Sequence, residues 1–167
     1  MPKNLIVDPS NVRSASTITA PEIPVNQYRP NFAAELDKYG KQGLIDILHD
    51  MIAVRQFETM LNSIKTTGAW NGVEYNHRGP AHLSIGQESA VVGQASQLDP
   101  QDFLFGSHRS HGEILAKCYS ASRKLEGPEL ENIMKSFLDG ETLSFAEQIG
   151  YDNLTELAEN FILYGTV

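Results

Sequence analysis

The sequence of 167 residues contains a single cysteine, Cys118, and has no long apolar run and no basic tract. One cysteine excludes a disulfide within the chain and is typical of a reducing compartment, so we expect a cytoplasmic protein. The apolar runs are far shorter than the ~18 residues that a membrane span requires. The formal net charge of −8 disfavours non-specific binding to nucleic acid, which depends on basic surface. We therefore expect neither a membrane nor a nucleic acid among the partners.

Several signatures of nucleotide-binding proteins and hydrolases are also missing. The glycine-rich strings GxGxxG and GxxxxGK[ST] are absent, and so is the GxSxG elbow of serine hydrolases. Any phosphate site must therefore depend on cationic side chains and helix ends. His108 and His111, with His77 and His82 upstream, leave a histidine-metal hydrolase as an alternative, although a catalytic zinc needs three protein ligands and the chain has no HExxH.

The composition indicates one globular domain preceded by an arm. Hydrophobic residues make up 41% of the chain and charged residues 20%, which is ordinary for a soluble protein with a core. Residues 1–30 hold five of the eight prolines and show no sustained periodicity. We expect them to form an arm that is either disordered or extended across a neighbouring subunit, with a mitochondrial transit segment as the alternative. The domain would occupy residues 31–167.

The strongest periodic pattern lies in residues 44–68. Its apolar residues recur at spacings of three and four, which places them on one face of a helix of about 25 residues. Gly68 would end this helix, and Gly40 would end a shorter one before it. Arg55 and Glu58 lie in the middle, where their spacing predicts a solvated ion pair. The predicted apolar face consists of Leu44, Ile45, Leu48, Met51, Ile52, Phe57, Met60, Leu61 and Ile64.

The stretch from 80 to 112 carries two predicted helix starts, each next to histidine. Ser84 with Gln87 and Ser110 with Glu113 both match the capping box, as does a third pair, Ser144 with Glu147. They predict helices over 85–98 and from 111 to about 123, with a short buried strand over 103–105 between them. His82 lies just before the first helix.

Arg109 lies next to His108, directly before the second predicted helix. The first turn of a helix presents free N–H groups and a partial positive charge, so an anion is favoured there. An arginine at that position predicts a site for a phosphate group.

The other segments predict more helix. Residues 127–140, 145–149 and 154–164 each follow a helical pattern, with Gly165 as a stop signal for the last. The connection over 66–83 is long and glycine-rich, which is typical either of a ligand-facing loop or of a disordered surface loop. The expected fold class of the chain as it stands is therefore mainly α.

Two strings of this sequence resemble a known family. They are MIAVRQFETMLNSIKTTG and AHLSIGQESAVVGQASQLDPQDFLFGSHRSHGEILAK, between Met51 and Lys117. Together they are similar to the alpha chains of thiamine-diphosphate-dependent 2-oxo acid dehydrogenases, the decarboxylating components of pyruvate, branched-chain 2-oxo acid and acetoin dehydrogenase complexes. The ordered combination of RxFE, HLxxGQE and a final HRSHG is more specific than any one of them.

The resemblance implies roles for four residues. His108 and Arg109 would contact the diphosphate of the cofactor, and His82 and His111 would be catalytic residues of the active-site channel. Thiamine diphosphate with Mg²⁺ would supply the carbanion chemistry in the complete enzyme. The partners would be a beta chain or domain, a lipoyl-bearing acyltransferase and a 2-oxo acid, within an oligomer.

One departure from the family changes the expectation. The GDG motif with its later asparagine, which binds Mg²⁺ and diphosphate, is absent, and the nearest string is Leu138-Asp139-Gly140. We therefore expect an N-terminal part of a thiamine-diphosphate-binding fold, α/β only in the complete subunit. By itself it would hold no metal and no cofactor and would be inactive. A non-catalytic interaction module of the same fold is the alternative.

Overall fold

The structure is a computed structural model that describes residues 22–25 and 27–166, together with the isolated residues 8, 10, 13 and 15. Residues 27–166 contain six α-helices, one short 3₁₀ helix and one two-stranded hairpin. The prediction of a mainly α chain is therefore confirmed. The arm predicted over residues 1–30 lies largely outside the described residues and stays a prediction.

The elements follow one another along the chain with short connections, apart from two longer ones before α2 and α3. The helices are α1 (Phe32–Thr67), α2 (Glu88–Ala95), α3 (His111–Ser122), α4 (Gly127–Ser136), α5 (Glu141–Ile149) and α6 (Leu154–Thr166), with the 3₁₀ helix at Phe137–Gly140. The strands are β1 (Ala69–Trp70) and β2 (Val73–Glu74), which pair antiparallel.

Glycine sets the bend and the end of α1. The Asn31 side chain accepts the N–H groups of Ala33 and Ala34 and so begins the helix. At Gly40 the backbone leaves helical geometry, with φ 68° and ψ 169°, and at Gly68 it turns left-handed, with φ 75°. Both glycines therefore interrupt or end helix where the sequence predicts.

The apolar face of α1 differs from the prediction. Val54, Phe57 and Leu61 are buried, whereas Ile45, Leu48 and Ile52 are 45%, 56% and 52% exposed. The reason is a buried carboxylate, because Asp50 is only 3% exposed.

A two-pronged ion pair keeps Asp50 inside. Arg123, just after α3, donates to Asp50 Oδ2 at 2.8 Å and to Oδ1 at 2.5 Å. Hydrogen bonding to this carboxylate raises the pKa of Arg123. The contact turns a charged face of α1 inward and leaves part of the apolar face in solvent.

The glycine-rich connection after α1 contains the hairpin. Asn71 and Gly72 form its turn with φ values of 49° and 81°, the positive values that a tight two-residue turn requires. Ala69 lies opposite Glu74, and Trp70 lies opposite Val73. The hairpin therefore places Trp70 and the residues that follow β2 next to the end of α1.

Several predicted elements are wrong in kind or extent. Residues 103–105 do not form a strand, and Phe103 and Phe105 are 89% and 94% exposed. A strand needs a neighbour for its backbone hydrogen bonds, and the described residues provide none beside this segment. The helix predicted over 85–98 is shorter, because Gly86 adopts φ 93° before α2 begins. Gly165 does not stop α6, which continues to Thr166.

The helices enclose two adjoining apolar clusters. Helices α1, α2, α3 and α6 surround the larger one, which includes Val54, Val92, Leu115 and Ala116. Helices α4, α5 and α6 surround the smaller one around Met134. Cys118 packs partly buried against the larger cluster, and burial raises the pKa of its thiol. Among the described residues, no helix is both long and apolar enough to cross a membrane.

Truncation of Leu115 tests the larger cluster. Its side chain is fully buried, so Leu115→Ala should lower the free energy of unfolding by about 2–5 kcal/mol through lost burial and a residual cavity. Ile114→Ala on the same helix is the matched control, because Ile114 is 43% exposed and should lose less than about 1 kcal/mol. Urea denaturation measures both, and equal losses would contradict the packing described.

Candidate functional site

Glu58 lies at the centre of the candidate site, although its position in α1 predicts a solvated residue. Its side chain is fully buried. Glu58 Oε2 accepts the backbone N–H of Ser84 at 2.8 Å, and Oε1 lies 3.5 Å from His111 Nδ1. That separation is long for a hydrogen bond, and neither Oε1 nor Nδ1 has another partner among the described residues. Glu58 thus faces both the loop before α2 and the start of α3.

Ser84 joins the two loops that carry the histidines. It is completely buried, and its hydroxyl donates to the backbone carbonyl of Arg109 at 2.7 Å. In return, Arg109 Nη1 donates to the carbonyl of Leu83 at 2.9 Å. Gly112 packs directly against this serine, since a Cβ added there would lie 3.4 Å from the Ser84 Cβ, at van der Waals contact. The strings HLSIGQE and HRSHG are therefore held against one another.

Three of the four predicted site residues share one surface. The rings of His82 and His108 meet edge to face with centroids 5.0 Å apart, and Arg109 Nε lies 3.4 Å from His108 Nε2. All three side chains are exposed. His111 lies apart from them, next to Glu58, and its ring is tilted 6.0 Å from that of Phe57. The structure thus brings His82, His108 and Arg109 together and joins His111 to them through Ser84 and Glu58.

A second carboxylate fixes the loop before α2. Arg55 forms a fork with Glu88, with Nε to Oε1 at 2.6 Å and Nη2 to Oε2 at 2.9 Å. Glu88 also accepts the N–H of Gly86 at 2.9 Å. The guanidinium holds the pKa of Glu88 at about 2, below its ordinary 4.5. The predicted pairing of Arg55 with Glu58 is therefore wrong, because each residue pairs across the fold instead.

The three predicted capping boxes are also wrong. Ser84 uses its hydroxyl for Arg109, Ser110 donates to the carbonyl of Ser107, and Ser144 donates to that of Glu141 within α5. No side chain caps α3. The first turn of α3, which follows Arg109 and Ser110, therefore has no side-chain cap, and it carries the carboxylate of Glu113.

The histidines do not assemble into a metal centre. Among the residues that the structure describes, no group of three or more histidine, cysteine, aspartate or glutamate side chains is placed to hold a metal ion. His77 lies beside Tyr75, with ring centroids 6.4 Å apart, whereas His82 and His108 lie beside each other. The described residues therefore do not supply the ligands that a histidine-metal hydrolase would need.

The residues that sequence reasoning missed are Arg55, Glu58, Ser84 and Glu88. All of them belong to the strings RQFE and HLSIGQE, which carry the family resemblance. The available signal was opposite charge, because RQFE contains an arginine and HLSIGQE ends in a glutamate. Such a pair can join the two strings.

The Ser84 hydroxyl gives a direct test of this arrangement. Ser84→Ala should destabilise the chain by about 1–3 kcal/mol, because the carbonyl of Arg109 would lose its buried donor. Ser144→Ala is the matched control, since that hydroxyl makes an exposed bond to Glu141 and its loss should matter by less than about 0.5 kcal/mol. Chemical denaturation measures the free energy of unfolding of both variants. Equally small losses would show that the bond from Ser84 to the carbonyl of Arg109 does not stabilise the chain.

The Arg55–Glu88 fork predicts a pH dependence. Because the pKa of Glu88 is lowered to about 2 from 4.5, the unfolded state binds more protons between these values. The contribution is complete above pH 4.5 and is lost as the pH falls toward 2. The difference in unfolding free energy between wild type and Glu88→Gln should therefore be greatest near neutral pH and should shrink in acid.

Urea titrations at a series of pH values measure this difference. Glu74→Gln, in the exposed strand β2, is the control and should give a small difference that varies little with pH. A difference for Glu88→Gln that stays constant between about pH 5 and about pH 2 would contradict the lowered pKa.

Comparisons with known proteins identify one family that matches part of this chain. The model of the family described as dehydrogenase E1 component matches residues 58–139, the range that contains Glu58, Ser84, Arg109 and His111. No solved structure matches the chain at a significant level.

Two curated relatives are pyruvate dehydrogenase E1 component alpha subunits. That of Rhizobium meliloti (strain 1021) is 26% identical over 110 residues, which are 65% of this chain and 30% of the relative. The mitochondrial one of Chaetomium thermophilum is 33% identical over 72 residues, 43% of this chain and 16% of the relative. The matched segments thus span less than a third of either relative. Residues 58–139 of this chain are therefore similar to the dehydrogenase E1 component family, and both curated relatives are alpha subunits.

Proposed function

We propose that this chain forms part of the cofactor site of a thiamine-diphosphate-dependent 2-oxo acid dehydrogenase, which decarboxylates a 2-oxo acid oxidatively and passes the acyl group to a lipoyl group. The observation that carries the proposal is the position of Arg109. It is exposed beside His82 and His108, at the start of a helix without a side-chain cap, and is held there by Ser84.

The donor set suits a diphosphate. Arg109 forms no ion pair with a carboxylate in the described part of the chain, and only one of its terminal nitrogens is hydrogen-bonded, to Leu83. A planar guanidinium binds phosphate oxygens through two parallel hydrogen bonds. The first-turn N–H groups of α3 and the adjacent imidazole of His108 add further donors. We assign His108 and Arg109 to binding the diphosphate.

The other two histidines have different surroundings and are assigned different roles. His82 packs against His108 and would orient the bound cofactor or substrate from the exposed side. His111 faces the buried Glu58, which acts as a positioning residue by fixing the orientation of its ring. Thiamine diphosphate, when bound, supplies the carbanion chemistry for loss of carbon dioxide. His82 and His111 are the catalytic residues proposed for this chain.

The complete site requires residues from elsewhere in the assembled enzyme. The sequence has no GDG motif, and the described residues offer no metal site, so the ligands of Mg²⁺ come from outside them. The proposed partners are a beta chain or domain, a lipoyl-bearing acyltransferase and the 2-oxo acid, in an oligomer. The isolated chain is inactive. Its compartment stays a prediction, since one cysteine favours the cytoplasm and one relative is named as mitochondrial.

Thermal unfolding tests the proposal in two states of the protein. Thiamine diphosphate with Mg²⁺ should leave the Tm of the isolated chain unchanged, because the metal ligands are missing. The same additions should raise the Tm of the chain assembled with its beta subunit and the remaining alpha-subunit residues, because a ligand stabilises the state that binds it. A clear rise for the isolated chain would contradict the proposed division of the site.

In the assembled enzyme, Arg109→Gln should weaken binding of thiamine diphosphate by about ten-fold or more, since a charge-assisted bidentate contact is lost. Lys41→Gln, an exposed charge in the N-terminal part of α1, is the control and should bind as wild type does. Calorimetry measures both affinities. Unchanged affinity for the Arg109 variant would remove the diphosphate role from this residue.

A further inference from the structure

A cavity of about 660 Å³ lies between the end of α1 and the hairpin, and we call it the hairpin cavity. Its volume falls within the range of about 300–1,000 Å³ that is usual for small-molecule sites. Apolar side chains form most of its wall, and the largest are Phe57, Met60, Ile64 and Trp70. Such a wall favours a ligand with an apolar body.

The hairpin cavity adjoins the candidate site. His111 and Phe57 both line it, and the same His111 faces Glu58 across 3.5 Å. A molecule in the cavity would therefore contact a residue that is already assigned to the proposed reaction. The hairpin cavity and the candidate site therefore share the side chain of His111.

The lining also includes basic side chains. His77, Arg78 and His111 contribute to it, and no carboxylate does. Arg78 is exposed and forms no hydrogen bond or ion pair with any described residue. A guanidinium without an internal acceptor suits a carboxylate on the ligand. The cavity therefore combines an apolar wall with a place for one negative charge.

A neighbouring cavity shows the contrast. It has a volume of about 690 Å³ and shares Phe57, Met60 and Trp70 with the hairpin cavity. Its lining includes the carboxylate of Glu159 and neither arginine nor lysine. Charge complementarity therefore favours the hairpin cavity for an anion.

We propose that the hairpin cavity binds the 2-oxo acid substrate and selects one with a large branched or aromatic side chain, with Arg78 holding its carboxylate. This inference rests on the proposed function and adds the substrate class. Pyruvate would leave most of the apolar wall without contact. A leucine-derived 2-oxo acid presents a branched chain to Phe57, Met60 and Trp70. Arg78 is assigned to binding the substrate, and His111 keeps the catalytic role proposed for it.

Trp70 is the only tryptophan of the chain, so its fluorescence reports on ligands in the cavity. Titration of the full chain with 4-methyl-2-oxopentanoate should change the emission of Trp70 with a saturable curve. Pyruvate should bind at least about ten-fold more weakly, as expected for missing contacts in an apolar pocket. Arg78→Gln should weaken binding of 4-methyl-2-oxopentanoate by about ten-fold. Lys41→Gln, which does not line the cavity, should bind as wild type does.

The inference is overturned if 4-methyl-2-oxopentanoate gives no saturable change, if pyruvate binds equally well, or if Arg78→Gln and Lys41→Gln have the same effect. Because Trp70 also lines the neighbouring cavity, the Arg78 variant identifies which cavity is occupied. The titration needs neither thiamine diphosphate nor turnover. Its failure is therefore distinguishable from failure of the Arg109 experiment, which measures cofactor affinity in the assembled enzyme.

Discussion

The arrangement of the site depends on the burial of one carboxylate. Glu58 is fully enclosed, and a carboxylate in such a place is tolerated only when polar groups face it. One oxygen receives the backbone N–H of Ser84, and the other faces His111. These two contacts decide where the loop before α2 and the first turn of α3 must lie relative to α1. The position of the exposed Arg109 is set in turn, because the Ser84 hydroxyl donates to its backbone carbonyl.

The same reasoning explains why the helical periodicity of α1 predicts its inner face only in part. Asp50 and Glu58 both point inward, and each meets a partner from a later element. An apolar pattern assigns the core by hydrophobicity alone, so it places Leu48 inside and Asp50 outside. In the structure, Leu48 is 56% exposed and Asp50 is 3% exposed. The buried contacts of these two carboxylates therefore account for the difference between the predicted and the observed inner face of this helix.

What could be predicted from the sequence is mostly local. Gly40 and Gly68 interrupt and end helix because their positive φ is a property of the residue itself, and the start of α3 after Arg109 was expected. The partners of Arg55 and Glu58 lie 33 and 26 residues away, beyond the reach of spacing rules within a helix. The segment with Phe103 and Phe105 matches a strand, but a strand also requires a neighbouring edge, which no local pattern provides.

The arginines of residues 32–166 divide into two kinds. Arg55 and Arg123 each form a fork with a buried carboxylate and so belong to the interior framework. Arg78 and Arg109 are exposed, and neither pairs with a carboxylate in the described part of the chain. Each structural arginine thus pairs with a carboxylate of the same chain. Arg78 lines the hairpin cavity and Arg109 lies just before α3, and at both places an external anion can provide the negative charge. This contrast is the physical reason for placing ligands, rather than packing, at Arg78 and Arg109.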